Sequence, residues 1–240
     1  MNEESNRAGA PLRNVIVAID GPAGAGKSTI ARHLARRFGL LNLETGAMYR
    51  AFALKALRDS VPLSESSALE LLARSTSITL ETGEDENRVL LDGEDVTGLI
   101  RNPTVTDAAS RVSTFPVIRA WMVRLQQQLA SKGGIVMEGR DIGTVVFPNA
   151  AVKIFLDAAP EVRGQRRYEQ LEQKGSTPPM PPDAVIKDLH ARDERDRNRA
   201  DSPLKPAPDA LFLDSTDMTL EQALTAAEGI VSAKLGLPEV

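Results

Sequence analysis

Residues 15–29 read VIVAIDGPAGAGKST, and this stretch decides how the rest of the sequence is interpreted. Its first five residues form a continuous apolar run, which is typical of a strand buried on both faces of a parallel sheet. Its second half has two glycines five positions apart and then Lys27 and Ser28, the pattern of a phosphate-binding loop that opens a helix. The stretch therefore predicts a strand, a phosphate loop and a helix in direct succession.

The chemistry of this loop explains the residue types in it. Without Cβ atoms, the glycines allow the loop to wrap closely around a triphosphate while its N–H groups converge on the anion. The following helix directs its positive N-terminal end toward the same point. Lys27 is expected to reach the β- and γ-phosphates and the Ser28 hydroxyl to help hold Mg²⁺. An ordinary glycine-rich turn is the alternative, which the strand, spacing and helix together disfavour.

Composition narrows the class of protein. A chain of 240 residues is long enough to bury a sizeable core. Its net charge of −4 gives no overall basic field for nucleic acid, so an anion site has to be local. The lack of cysteine excludes disulfides, thiolate metal sites and cysteine nucleophiles, and it suits a cytoplasmic protein. No apolar stretch is long enough to span a membrane, and the polar residues 1–13 are predicted to be a flexible tail.

The order of apolar runs and helical patterns predicts an α/β fold with a parallel sheet flanked by helices. Short alternating strands separated by turn residues depart from this order and indicate a small antiparallel subdomain inserted at 61–104. Pro116 is expected to divide the helical pattern over 105–131 into two helices. Thr45 follows a short apolar strand and is expected to cap the next helix.

Charged residues concentrate at three places. The triplet Gly-Arg-Asp at 139–141 follows a buried strand, at the edge of the sheet where ligands of open α/β folds bind, although a salt-bridged surface turn is the alternative. The helix predicted after Pro160 carries three arginines spaced three and four residues apart, which either face solvent or clamp a triphosphate. The proline-rich segment TPPMPP at 177–182 connects this helix to the next one.

That next helix, 184–200, is the most charged of the chain. A self-neutralising solvated helix is the default interpretation. Four ionic residues nevertheless share one face, since their spacing is i, i+3, i+4 and i+7: Arg192, Arg195, Asp196 and Arg199. Asp193 and Arg197 are predicted to form a second pair, four residues apart.

Taken together, these motifs resemble the bacterial cytidylate kinases, the long form of the nucleoside monophosphate kinases with an inserted substrate-binding domain. The resemblance covers about residues 15–233 and is carried by IDGPAGAGKST, ETGAMYR, DGEDVTGLIR, AASRVSTFPVIR, EGRDIGTVVFPNAAVKIFLDA, RDERDRNR and ALFLDST. It implies a P-loop kinase with a short helical lid, ATP as phosphoryl donor, Mg²⁺ as cofactor and CMP or dCMP as acceptor. The expected division is a tail (1–13), a P-loop core (14–60, 105–160 and 191–240), the inserted subdomain (61–104) and the lid (161–190).

The resemblance also implies roles for individual residues. Donor binding falls on Gly21, Pro22, Ala23, Gly24, Ala25, Gly26, Lys27, Ser28 and Thr29, with Arg163, Arg166 and Arg167 in the lid. Acceptor binding falls on Thr45, Tyr49, Arg50, Ser110, Arg119, Arg140, Asp141, Arg192, Asp196 and Arg199. The residues expected to stabilise phosphoryl transfer are Lys27, Arg140, Arg192 and Arg199, with Ser28 on the metal. Glu44 stands where the family usually has Asp.

The chemistry of these residue types fits a cytosine. An acceptor such as Asp141 or the Ser110 hydroxyl favours the exocyclic amine of cytosine over the carbonyl of uracil, and Arg119 supplies donors for the ring acceptors. Phosphoryl transfer needs two nucleotides held in line and positive groups around the moving charge, but no nucleophilic side chain.

Three rival functions remain open. One is a kinase for another small acceptor, such as UMP, AMP or shikimate. The second is a P-loop switch or a nucleic-acid-associated ATPase, which the acidic net charge and the lack of an Asn-Lys-x-Asp motif disfavour. The third is a non-catalytic nucleotide-binding module, which the intact Lys27–Ser28 pair disfavours. The favoured interpretation is a monomeric enzyme that acts on CMP or dCMP without a nucleic-acid or membrane partner.

Overall fold

The computed structural model describes residue 12 and residues 14–81, 83, 87–131, 133–173 and 181–238. The tail predicted at 1–13 and the proline-rich connector fall largely outside these residues. Two one-turn elements, at 99–101 and 142–146, join the regular helices and strands. In chain order the regular elements are β1 (Ile16–Asp20), α1 (Lys27–Phe38), β2 (Leu41–Glu44), α2 (Thr45–Arg58), α3 (Ser66–Arg74), β3 (Ile78–Glu81), β4 (Arg88–Leu91), β5 (Glu94–Asp95), α4 (Pro103–Val112), α5 (Pro116–Ala130), β6 (Ile135–Gly139), β7 (Val152–Asp157), α6 (Pro160–Gln173), α7 (Pro182–Asn198), β8 (Leu211–Asp214) and α8 (Leu220–Leu235).

The central sheet has five strands in the order β2-β6-β1-β7-β8, and every neighbouring pair is parallel. β1 occupies the middle, and its side chains Val17, Ala18 and Ile19 are fully buried because layers cover both faces of the sheet. Val17 and Ile19 pack toward α1 and α8, whereas Ala18 packs on the opposite face with Met137 and Ile142. The predicted parallel sheet flanked by helices is confirmed.

A second core joins α2, α3, α4 and α5 to the small antiparallel sheet β3-β4-β5. Phe52 of α2 is fully buried and its ring lies 5.1 Å from that of Trp121 on α5. The small antiparallel sheet predicted from the alternating strands is therefore present. It packs directly on α2, so the insertion shares its core with the helices on either side of it in the sequence.

Helix ends follow local chemistry. Pro116 begins α5 at its first position, because its missing N–H is not needed there, and the predicted break between α4 and α5 is confirmed. Thr219 and Gln222 form a capping box at the start of α8. The predicted cap of α2 by Thr45 is wrong: Glu44 occupies the cap position, and the Thr45 hydroxyl donates instead to the Glu138 carbonyl at 2.7 Å.

The end of α7 also differs from the prediction. The helix stops at Asn198, and Arg199 follows it with an extended backbone. No helix within the described ranges combines the length and the apolar character needed to cross a membrane.

Candidate active site

The carboxyl ends of β1, β2 and β6 face one large cavity, which α4, α6 and α7 close from the other side. This is where parallel strands bring their loops together in an open α/β sheet. Most of the residues predicted from the sequence line it: Ala23, Gly24, Ala25, Gly26, Lys27, Ser28, Thr29, Thr45, Tyr49, Arg50, Ser110, Arg119, Arg140, Asp141, Arg167, Arg192, Asp196 and Arg199. The fold thus brings together side chains that are far apart in the sequence, from Ala23 to Arg199.

The loop between β1 and α1 forms one wall of this cavity. Gly26, at the cap position of α1, has a positive φ of 95°, and α1 begins at Lys27. The Lys27 ammonium is buried and donates to the Pro22 carbonyl at 2.6 Å. Burial, and then the nearby Arg140, lower the pKa of Lys27 to about 7. The Lys27 side chain therefore bridges its own loop and lies near Arg140. Such a concentration of positive charge is expected of an anion-binding site.

Two carboxylates lie beside Ser28 at the ends of neighbouring strands. Glu44 and Glu138 are register partners on β2 and β6. Arg50 donates to Glu44 and outweighs the effect of burial, so that the pKa of Glu44 lies below its usual value. Burial and then Glu44 raise the pKa of Glu138, which accepts a hydrogen bond from Ser28 and whose buried Oε1 lacks a partner.

This oxygen set fits a divalent cation. Mg²⁺ prefers carboxylate and hydroxyl oxygens and is bound by one or two carboxylates together with phosphate oxygens. Sequence reasoning did not assign Glu138 a role, although an acidic residue at the end of a strand next to the phosphate loop was a usable signal. Arg50 donates to Glu44 in this structure and also lines the cavity, and its contact with a substrate phosphate stays a prediction.

Arg119 of α5 and Asp141, in the loop after β6, form a buried ion pair at the cavity. Arg119 donates from Nη2 to Asp141 and from Nη1 to the Ser113 carbonyl at 3.2 Å. Arg119 and Asp141 are both at most 5% exposed, so solvent screens them little. Arg199 Nη2 approaches Asp141 Oδ1 to 4.0 Å, and the Arg119 guanidinium lies 5.8 Å from the centre of the Tyr49 ring.

A group of cations faces this pair from α7 and the β6 loop. Arg140 Nε donates to Asp196 Oδ2 at 2.8 Å, and Arg199 Nη1 lies 3.5 Å from Asp196 Oδ1. Burial, and then Arg140, lower the pKa of Arg192 to about 10. Burial acts to raise the pKa of Asp196, but Arg140 and Arg199 hold it below its usual value. Three of the four residues predicted to share one charged face therefore line the cavity: Arg192, Asp196 and Arg199.

Four predicted placements do not agree with the structure. Arg163 does not line the cavity: it pairs with Asp193 Oδ2 at 2.6 Å, so its predicted contact with ATP is replaced by a contact inside the protein. Asp193 therefore pairs with Arg163 and not with Arg197. Arg195 pairs with Asp107 of α4 at 3.2 Å, outside the set that lines the cavity. Gly21 and Pro22 belong to the loop without lining the cavity.

The cavity also has two rims that the sequence did not identify. One comes from the segment between the small sheet and α4, with Arg101 and Asn102, and from Thr106 in the first turns of α4. The other comes from the segment after β8 and includes Met218 and Leu220. Arg166, predicted as a lid residue, reaches this second rim through Ser215, to whose Oγ it donates at 3.0 Å.

Comparisons with known proteins agree with this architecture. The family model described as Cytidylate kinase matches residues 17–232. The cytidylate kinase of Pasteurella multocida is 44% identical over 223 residues, which cover 93% of this chain and 97% of the relative. Those of Solibacter usitatus (47% identical, covering 93% and 94%) and Pelotomaculum thermopropionicum (49% identical, covering 90% and 96%) are similar over nearly the same span. The chain therefore belongs to the cytidylate kinase family.

Proposed function

We propose that this chain transfers the γ-phosphoryl group of ATP to CMP or dCMP, with Mg²⁺, to give ADP and CDP or dCDP. Phosphorylation of CMP follows from the family to which the chain belongs. The proposal adds ATP as the donor, Mg²⁺ as the cofactor, dCMP as a second acceptor and the roles of individual residues. The observation that carries it is a single cavity lined by the phosphate loop, the Arg119–Asp141 pair and the cations of α7.

The donor half of the site is the loop that precedes α1. Its N–H groups and the N-terminal end of α1 would bind the triphosphate, and Lys27 would turn from the Pro22 carbonyl toward the β- and γ-phosphates. Ser28 and Glu138 would hold Mg²⁺, which neutralises phosphate charge when bound. Arg166 and Arg167 both line the same cavity, and Arg167 would meet the phosphates from the lid.

The acceptor half would recognise cytosine by its hydrogen-bond pattern. Asp141 presents carboxylate oxygens and Ser110 a hydroxyl, both suited to the exocyclic amine. Arg119, held by Asp141, would donate to the ring acceptors. Uracil presents a carbonyl where cytosine has the amine, so UMP would leave these buried acceptors unpaired and be rejected.

The transferred phosphoryl group would pass between two sets of cations. An oxygen of the acceptor phosphate forms the new P–O bond, and the bond between the γ-phosphorus and the bridging oxygen breaks to release ADP. Lys27, Arg140, Arg192 and Arg199 would surround the charge that spreads over the equatorial oxygens. No general base is required, because the acceptor phosphate is already an anion.

Steady-state kinetics with a panel of acceptors test this proposal. ADP formation from ATP and Mg²⁺ is measured with CMP, dCMP, UMP, AMP and shikimate and without any acceptor. CMP or dCMP should give the highest kcat/KM, chelation of Mg²⁺ should abolish turnover, and ATP should be nearly stable without acceptor. Preference for UMP, AMP or shikimate would overturn the acceptor assignment. Rapid acceptor-independent hydrolysis would favour an ATPase.

The proposal also covers the oligomeric state, the cellular location, the partners and the domain division of the chain. We propose a monomeric enzyme in the cytoplasm that acts without nucleic acid or membrane. The acidic net charge of −4 supports the lack of a nucleic-acid partner. We also keep the division into a P-loop core, an inserted subdomain at 61–104 and a lid at 161–190. The last is supported by the position of α6 and α7 over the phosphate loop.

A further inference from the structure

The tip of the phosphate loop is held from outside by two side chains. The Ala23 N–H donates to Asp193 Oδ1 at 3.2 Å, and the Ala23 carbonyl accepts from Arg163 Nη1 at 2.9 Å. The same Arg163 atom donates to Asp193 Oδ2 at 2.6 Å. One residue of the loop is thus bound at both of its backbone groups by a single ion pair.

This ion pair is among the most buried charged groups of the described residues. Arg163 is 2% exposed and Asp193 is 1% exposed. Arg163 Nε also donates to the Ala158 carbonyl at 2.9 Å, which fixes the guanidinium in one orientation. Burying a pair of charges costs more than burying two apolar side chains of the same size, so packing alone does not explain it.

The loop also fits closely against the helix that carries Arg163. A Cβ added to Gly24, whose φ is +77°, would lie 3.1 Å from the Arg163 carbonyl. Ala23 itself packs against Val185 and Leu189 of α7. Backbone contact and side-chain contact therefore converge on the same two residues of the loop.

The pair lies on two different helices, Arg163 on α6 and Asp193 on α7. On α7, Asp193 lies between Arg192 and Asp196, whose side chains line the cavity. The helix that presents the acceptor cations is thus attached to the tip of the donor loop.

We propose that Arg163 and Asp193 are positioning residues for the donor nucleoside triphosphate, and this rests on the proposed function. They hold the Ala23 peptide so that the neighbouring N–H groups of the loop are already directed at the phosphates. Neither side chain contacts the nucleotide. Without these contacts the loop is less ordered. Donor binding then has to supply the free energy needed to order it, which weakens the affinity for the donor.

A matched pair of variants separates positioning from stability. Asp193→Asn and Asp193→Ala both leave Arg163 without its charge partner, but only Asn keeps an oxygen that can accept from the Ala23 N–H. The KM for ATP should be about tenfold higher in D193A than in D193N, because one buried N–H is left unpaired. The KM for CMP should differ by less than about twofold between the two, because the acceptor contacts are unchanged. Equal KM values for ATP would overturn the proposal, as would equal increases for both substrates.

Two double variants provide the same comparison of KM values for ATP if the single variants fold poorly. R163M/D193N and R163M/D193L both remove the two charges together, and the same difference in the KM for ATP is expected between them. Glu70→Gln and Glu70→Ala serve as the matched control, because Glu70 pairs with Arg74 at 2.8 Å on the exposed surface of α3. If the wild-type chain fails to use ATP and CMP, the proposed function fails. If it uses both and the variants show no difference, only this inference fails.

Discussion

Asp20 ties β1 to the loop that carries Arg140 and Asp141, and its titration gives a quantitative prediction. Its Oδ1 accepts from the Ile142 N–H at 2.8 Å and its Oδ2 from the Gly143 N–H at 2.7 Å. Burial raises the pKa of Asp20 from 3.8 to about 6, although the two N–H donors act in the opposite direction. The carboxyl group therefore binds its proton more tightly in the folded chain than in the unfolded chain.

The sign of the pH dependence follows from this difference. Between the unfolded and folded pKa values the folded chain binds more protons, so stability falls as the pH rises. The contribution of Asp20 is fully present below about pH 4 and is lost as the pH rises through about 6. A shift from 3.8 to about 6 amounts to about 3 kcal/mol at neutral pH. About 1.4 kcal/mol of this falls between pH 5 and pH 7.5.

Urea unfolding of the wild-type chain and of Asp20→Asn at pH 5.0 and pH 7.5 measures this contribution. The variant lacks the titration, so the wild-type free energy of unfolding minus that of the variant should fall by about 1.4 kcal/mol from the lower to the higher pH. Titrating groups that do not interact with Asp20 are common to both proteins and cancel. Lys27 does interact with Asp20, but less strongly than with Arg140, Glu138 or Asp196. A difference that stays constant, or that rises with pH, would refute the reasoning.

Asp209→Asn is the matched control for this experiment. Asp209 accepts from Lys153 Nζ at 2.8 Å, and this hydrogen bond lowers the pKa of the exposed Asp209 carboxyl. Asp209 is ionised throughout pH 5.0–7.5 in the unfolded chain, where its pKa is the usual 3.8, and in the folded chain, where its pKa is lower still. The difference between wild type and this variant should therefore not change with pH, which separates the effect of burial from the general effect of removing an aspartate.

Four further substitutions test other parts of the structure. Arg119→Ala should raise the KM for CMP by about tenfold or more and leave that for ATP within about twofold, and equal increases would contradict its role. Thr45→Val should lower the free energy of urea unfolding by about 1 kcal/mol, because its hydroxyl donates to a strand carbonyl at 2.7 Å; unchanged stability would contradict this. Gly164→Ala should cost about 1–3 kcal/mol, because a Cβ there would overlap Ile186. Gly229→Ala on α8 meets nothing within 4 Å and should instead stabilise, so a loss at both glycines would point to a cause other than crowding.

The central sheet was predictable because its three middle strands, β6, β1 and β7, are buried almost throughout and therefore read as apolar runs. The break at Pro116 was predictable for a reason that lies in one residue, since proline cannot donate within a helix but is tolerated at its first position. Thr45 shows the limit of local rules. Its position in the sequence favoured a helix cap, but in the structure its hydroxyl donates to the buried Glu138 carbonyl at the end of β6.

The site was less predictable than the sheet, because spacing along a helix does not say what lies opposite each residue. Arg163 and Arg167 are one turn apart on α6, and the sequence gives them the same expectation. In the structure Arg167 lines the cavity while Arg163 meets Asp193 and the loop backbone. Glu138 ends an apolar run in the sequence, but its position beside Glu44 follows from the register of β2 and β6.

The cationic character of the cavity depends on how its buried charges are paired. The acceptor side of the cavity brings together four arginines and two aspartates, and buried charge of one sign is costly unless it is neutralised. The aspartates hold Arg119, Arg140 and Arg199 in place, so the cations are ordered before any ligand arrives. The uncompensated positive charge is then available to an entering phosphate. Phosphate binding should therefore stabilise the folded chain by more than its contacts alone, because it relieves repulsion that the fold already contains.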